Sequence, residues 1–108
     1  MTQDYDIAIV GGGLNGPTLA LAAAQSGLRV VLLDARTDQL RKNSKFDGRA
    51  YALALASKRL LTAIEIWDSV ADTVEAILNI RVSDGRVGAG ASPFFMDFDH
   101  AEIEEGPM

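Results

Sequence analysis

With 108 residues, no cysteine and a net charge of −5, the chain has room for one small domain and excludes several kinds of chemistry. Disulfides, thiolate metal sites and cysteine nucleophiles are ruled out, which fits a reducing compartment. The acidic balance disfavours nucleic acid, because phosphate binding needs clustered Lys and Arg. About half the residues are apolar and about a quarter are charged, the composition of a globular chain and not of a disordered one.

The N-terminus, Met1 to Asp6, is acidic where a signal peptide would be positive. Ile7-Ala8-Ile9-Val10 is a short apolar run ending in glycines and reads as a buried parallel strand. Leu14 to Gln25 reads as a helix rich in Ala and Leu, with Pro17 tolerated in its first turn and Gly27 as its stop. Arg29 to Asp34 is a second strand, apolar until its last residue. A helix between two apolar strands implies parallel pairing with a right-handed crossover. The apolar stretch from Ile7 to Val31 is interrupted by glycines, Asn15, Pro17, Gln25, Ser26 and Arg29, so it does not read as a membrane span.

Ala35 to Gly48 reads as a long polar loop. Its basic cluster of Arg36, Arg41, Lys42, Lys45 and Arg49 is mostly explained as solvated surface. Ser57 is a plausible N-cap for a helix carrying Leu60, Leu61 and Ile64 on one face. Trp67 is expected to close that helix against the core, with helical turns continuing towards Glu75. Leu78 to Ser83 alternates apolar and polar as a half-buried strand does, and Asp84-Gly85 marks a turn. Gly85 to Ser92 is expected to connect flexibly to a strand around Phe94 to Asp99. These two strands are expected to belong to a mixed or antiparallel sheet. The acidic residues Asp97, Asp99, Glu102, Glu104 and Glu105 read as solvated surface. The ending, Ile103 to Met108, reads as a chain cut in a loop. The predicted segments are thus a βαβ unit over 5–34, helical residues 57–76, and strands 78–83 and 94–99. The fold class is α/β, with a Rossmann-like start.

Gly11-Gly12-Gly13-Leu14-Asn15-Gly16 matches G-x-G-x-x-G directly after a predicted strand and at the opening of a helix, the setting that gives the pattern meaning. Gly11 permits the tight turn, Gly13 lets backbone approach a pyrophosphate, and Gly16 lets the helix pack on the strand. The free N–H groups and positive dipole end of the helix then favour phosphate. Asp34 ends the second strand 23 positions after Gly11 (34 − 11), where its carboxylate can accept hydrogen bonds from ribose hydroxyls and repel a ribose phosphate. The bland alternative is a βαβ unit without nucleotide, in which Asp34 merely ends a strand. FAD and NAD present the same ADP half to such a loop, so the residues do not separate them.

Phe46-Asp47-Gly48-Arg49-Ala50-Tyr51-Ala52-Leu53 resembles the FD-x-R-x-x-AL segment of the ubiquinone-biosynthesis hydroxylases, flavoprotein monooxygenases related to the aromatic-ring hydroxylases. Ser57, Leu60-Leu61, Ile80 to Gly85 and Phe98-Asp99-His100 match the same family in order. The resemblance covers nearly the whole chain and is nearest to the 2-octaprenyl-6-methoxyphenol hydroxylase branch. At Glu65-Ile66-Trp67 the family often has Gly–aliphatic–Trp, so Glu65 is a departure. The resemblance implies FAD, NAD(P)H as electron donor, molecular oxygen and a polyprenylated phenol as substrate. It places Gly11, Gly13, Leu14, Asn15 and Gly16 around the pyrophosphate, Asp34 on the ribose, Ala35 and Arg36 towards the adenine, and Arg49 near the FAD phosphates or ribose. A surface ion pair with Asp47 is the alternative for Arg49. The family's second, Gly-Asp fingerprint has no counterpart here, so the chain reads as the N-terminal portion of an enzyme, inactive by itself and prone to self-association through uncovered faces. A cytoplasmic location is implied, leaving peripheral contact with the inner membrane face or a biosynthetic complex open. No catalytic or metal-ligating residue is assigned. His100, the lone histidine, reads as solvated, and Trp67 and the phenylalanines read as core.

Overall fold

The computed structural model describes residues 3–37, 42 and 48–104. Its first unit is β1 (Ile7–Val10), α1 (Asn15–Gln25) and β2 (Val30–Leu33). The strands pair in parallel, Ile7 beside Val30 through Val10 beside Leu33. Gly11 N extends the ladder by donating to Leu33 O at 2.8 Å. At the other end, Asp6 accepts two bonds from the Arg29 guanidinium, at 2.8 and 3.1 Å. This fork holds the exposed Asp6 carboxyl below its usual range. Helix α1 stops in a Schellman motif, in which Gly27 N donates to Ala24 O and Leu28 N to Ala23 O. Gly27 has φ +89°, a conformation glycine adopts without steric cost. The parallel βαβ start and the antiparallel pair described below agree with the α/β class.

Helix α2 spans Leu55–Ala63 and α3 spans Trp67–Val70, followed by a 3₁₀ turn at Ala71–Thr73. Ser57 is not the cap: Ala54 holds that position and Ser57 lies inside α2. The expected apolar face is also divided, since Ile64 is buried while Leu60 is 46% exposed. Gln25 Nε2 donates to Ile64 O at 3.1 Å and so ties the end of α2 to the end of α1. Trp67 does not close α2 against a core. It opens α3, half-buried, with Lys58 Nζ 5.1 Å from its ring centroid.

The end of α2 accounts for the family's glycine at position 65 and leaves Glu65 without a structural explanation. Glu65 N donates to Thr62 O and Ile66 N to Leu61 O, another Schellman motif, and Glu65 has φ +62°. A residue with a Cβ is strained there and glycine is not. Glu65→Gly is therefore expected to stabilise the chain by about 1 kcal/mol. Chemical denaturation of both forms checks this, and a lower midpoint for the glycine variant contradicts it.

Strands β3 (Asn79–Arg86) and β4 (Gly90–Asp99) form an antiparallel hairpin. Both run further than the alternation predicts, because Gly85 and Arg86 pair with Ala91 and Gly90 instead of forming a slack connection. Ile80, Val82, Phe94, Met96 and Phe98 share one face by the period of two. The other face carries Arg81, whose guanidinium pairs with Asp97 and lies over the Phe95 ring. The apolar face is not core: Phe94 is 84% exposed, and Phe98 and Met96 are at least half exposed. Among the described residues only Ile9, Ala23 and Ile64 are buried apolar groups. The Cα radius of gyration is 19.3 Å, against roughly 13 Å for a compact domain of this length. The sequence places Trp67 and the phenylalanines in a core, but among the described residues Trp67 is only half-buried and Phe94, Phe95 and Phe98 are exposed.

Candidate dinucleotide-binding site

The glycine run forms the turn between β1 and α1. Gly11 has φ +116°, which only glycine adopts readily. At Gly16 an added Cβ would lie 1.8 Å from Gly11 O, so the start of α1 packs directly on the end of β1. At Gly13 an added Cβ would meet nothing within 4 Å. Packing therefore explains glycine at 16, and open space remains beside Gly13. The start of α1 has no side-chain cap and no acidic residue in its first turn. Its amide donors are left for an anion, the role a diphosphate fills at such a helix end.

Asp34 follows β2 directly, and its side chain is only 9% exposed. Its carboxylate packs against Gly12: a Cβ there would lie 2.1 Å from Asp34 Oδ2. Gly12 occupies an unspecified position of the motif, and reading the pattern alone gives it no task. The run of three glycines was the available signal. Arg36 N donates to Asp34 Oδ1 at 3.1 Å, and Arg36 Nη2 donates to Gly12 O at 3.2 Å. The structure thus brings Gly11, Gly13, Gly16, Asp34 and Arg36 around one turn. Leu14 and Asn15 are exposed at the head of α1, and Ala35 is exposed beside Asp34. A glycine-lined opening, uncapped amides and a neighbouring carboxylate fit the ADP half of a dinucleotide.

Arg49 lies elsewhere. It lines a groove of about 870 Å³ with Tyr51, Lys58, Trp67 and Glu75, and no glycine-loop residue is among its walls. Arg41, Lys45, Phe46 and Asp47 lie outside the described residues, as does Glu105. His100 stands at the base of the hairpin, with Nδ1 3.1 Å from Leu78 O and 3.2 Å from Asp99 Oδ1, as a structural contact would. It lines an apolar cleft of about 400 Å³ with Ile77, Ile80, Phe98 and Ile103. Among the described residues no cluster of His, Asp and Glu could hold a metal ion. No helix among them is long and apolar enough to cross a membrane.

A parallel βαβ unit with this turn defines a Rossmann-type dinucleotide-binding chain. The family model described as "3-hydroxyacyl-CoA dehydrogenase, NAD binding domain" matches residues 6–84, and the chain belongs to that family of dinucleotide-binding domains. The cofactor class is accordingly a flavin or nicotinamide dinucleotide. The chain is 44% identical over 103 residues to ubiquinone hydroxylase UbiL of Rhodospirillum rubrum, covering 95% of this chain and 23% of that protein. It is 30% identical over 87 residues to ubiquinone hydroxylase UbiM of Neisseria meningitidis, covering 80% of this chain and 19% of the relative. It is 41% identical over 69 residues to 3-demethoxyubiquinol 3-hydroxylase of Escherichia coli, covering 63% of this chain and 18% of the relative. These similarities bear out the resemblance to the ubiquinone hydroxylases. The chain spans about a fifth of the length of these curated relatives. No solved structure matches it significantly.

Proposed function

We propose that this chain is the ADP-gripping segment of an FAD-dependent monooxygenase that hydroxylates a polyprenylated phenol in ubiquinone biosynthesis, with NAD(P)H as electron donor. The observation that carries the reading is the glycine turn with Asp34 seated on it. The amides of Gly13 to Gly16 hold the diphosphate, and Asp34 accepts the ribose hydroxyls. Asp34 also disfavours a ribose phosphate at this position, by like-charge repulsion. FAD, when bound, supplies the oxygen-transfer chemistry, while the protein positions and shields it. Names and similarity of the relatives support the ubiquinone assignment, and Arg49 is proposed to reach the FAD from its own groove.

The test is purification of a protein of the relatives' full length that carries this segment. A yellow protein releasing FAD on denaturation, and oxidising NAD(P)H in step with hydroxylation of a polyprenyl phenol, is expected. A colourless protein that binds NAD alone favours a second reading, a nicotinamide-linked oxidoreductase, which the description of the family model supports. The isolated chain is expected to bind the dinucleotide without hydroxylating. Its proposed setting is the cytoplasm, with peripheral contact at the inner membrane face or within a biosynthetic complex.

The exposed apolar face of the hairpin and the free strand edges favour association with further copies of the chain. Light scattering is expected to give a mass above the monomer that rises with concentration. A constant monomer mass at high concentration contradicts this.

A further inference from the structure

The Gly12–Gly13 peptide has glycine on both sides, so no Cβ restrains its rotation. A trans peptide is planar, with C=O and N–H pointing in opposite directions. One orientation offers Gly13 N–H to the diphosphate. The flipped one offers the Gly12 carbonyl oxygen, which repels it. Arg36 Nη2 donates to Gly12 O at 3.2 Å, and the same nitrogen lies 3.6 Å from Asp34 Oδ2. Arg36 N is in turn anchored on Asp34 Oδ1 at 3.1 Å. The Gly12 carbonyl is thereby held on the β2 side, and Gly13 N–H is directed away from it.

We propose that Arg36 is a positioning residue: its guanidinium locks the Gly12–Gly13 peptide in the orientation that offers an N–H to a diphosphate. The proposal rests on the reading of the glycine turn and Asp34 as a cradle for the ADP half, and adds the device that keeps the loop ready before ligand arrives. It differs from a role near the adenine, and it differs from attraction of the phosphates by charge. An attraction through water is screened by salt, whereas a short hydrogen bond within the loop is screened much less.

The experiment titrates ADP into the 108-residue chain, unaltered and as Arg36→Ala and Arg36→Lys, at low and near-molar salt. The Gly13 amide is followed by nitrogen-15 NMR in the ligand-free forms. The Arg36 side chain is 57% exposed, so the variants are expected to fold, and matching melting curves check it. Arg36→Ala is expected to weaken ADP about tenfold, the upper range for one net hydrogen bond. The ratio to the unaltered chain should persist at high salt, and the Gly13 amide should broaden or double. Arg36→Lys, which keeps a donor, should recover part of the affinity and a single amide line. Equal ADP affinity in Arg36→Ala and the unaltered chain overturns the lock but leaves the cradle intact. A ratio that collapses to one at high salt also overturns it, in favour of charge attraction. Failure of the unaltered chain to bind ADP at all overturns the cradle, and the lock with it.

Discussion

Gly16→Ala is expected to disrupt the βαβ unit. The new methyl group would lie 1.8 Å from Gly11 O, with Gly11 C at 3.0 Å, and both neighbours are backbone. Neither can turn aside as a side chain would. Gly11 is itself fixed by its bond to Leu33 O and by a left-handed φ. The only relief is to lift the start of α1 off the end of β1, which opens the contact that unites helix and sheet. Overpacking of this kind costs about 3 kcal/mol. In a domain of this size that lowers the melting temperature by roughly 10–20 °C. Thermal unfolding followed by circular dichroism is the measurement. A shift below about 2 °C would show that the helix start is looser than its contacts indicate.

Gly13→Val is expected to do the reverse, sparing the fold and abolishing the ligand. Position 13 has an ordinary φ and open space where the side chain would project. The ligand-free chain therefore accommodates valine with little strain. A diphosphate approaching the amides would meet the isopropyl group instead. Asp34→Ala removes the carboxylate proposed to accept the ribose hydroxyls, and a hydrogen bond to a charged group is worth about 1.5–3 kcal/mol. Each variant is expected to weaken ADP, FAD and NAD alike by at least about 100-fold, which is about 2.7 kcal/mol. Calorimetry with the three ligands, beside melting curves, checks both halves of the expectation. Affinity within about threefold of the unaltered chain after Gly13→Val would remove the loop from the binding site.

The first third of the chain was legible because its constraints are local. A β-branched run, a glycine turn, an Ala-rich helix and a second apolar run allow few arrangements, and the register follows from the short crossover. The acid at position 34 could be placed because β2 runs straight to it. Gly12 was not legible, since its need for glycine comes from a carboxylate 22 positions away (34 − 12). The role of Arg36 was hidden likewise, because it depends on a contact with a backbone carbonyl. Ser57 is a good capping residue by type, but the chain turns helical two residues earlier, at Leu55, for reasons no local signal at Ser57 carries. The aromatic residues misled for a different reason. Phe94, Met96 and Phe98 do share the apolar face that alternation predicts, but no element among the described residues covers it. Amphipathicity reports that a face is meant to be covered, and says nothing of what covers it.

Backbone amides of the glycine turn and the Asp34 carboxylate are proposed to grip an ADP moiety together. Titrating ADP into isotope-labelled chain while following the amides of Gly13 to Gly16 and the carboxyl carbon of Asp34 tests it most directly. These resonances are expected to move together along one saturation curve, with the hairpin residues unchanged. Should they stay still while signals from the Tyr51–Trp67 groove shift, the nucleotide binds elsewhere and the glycine turn is not its site.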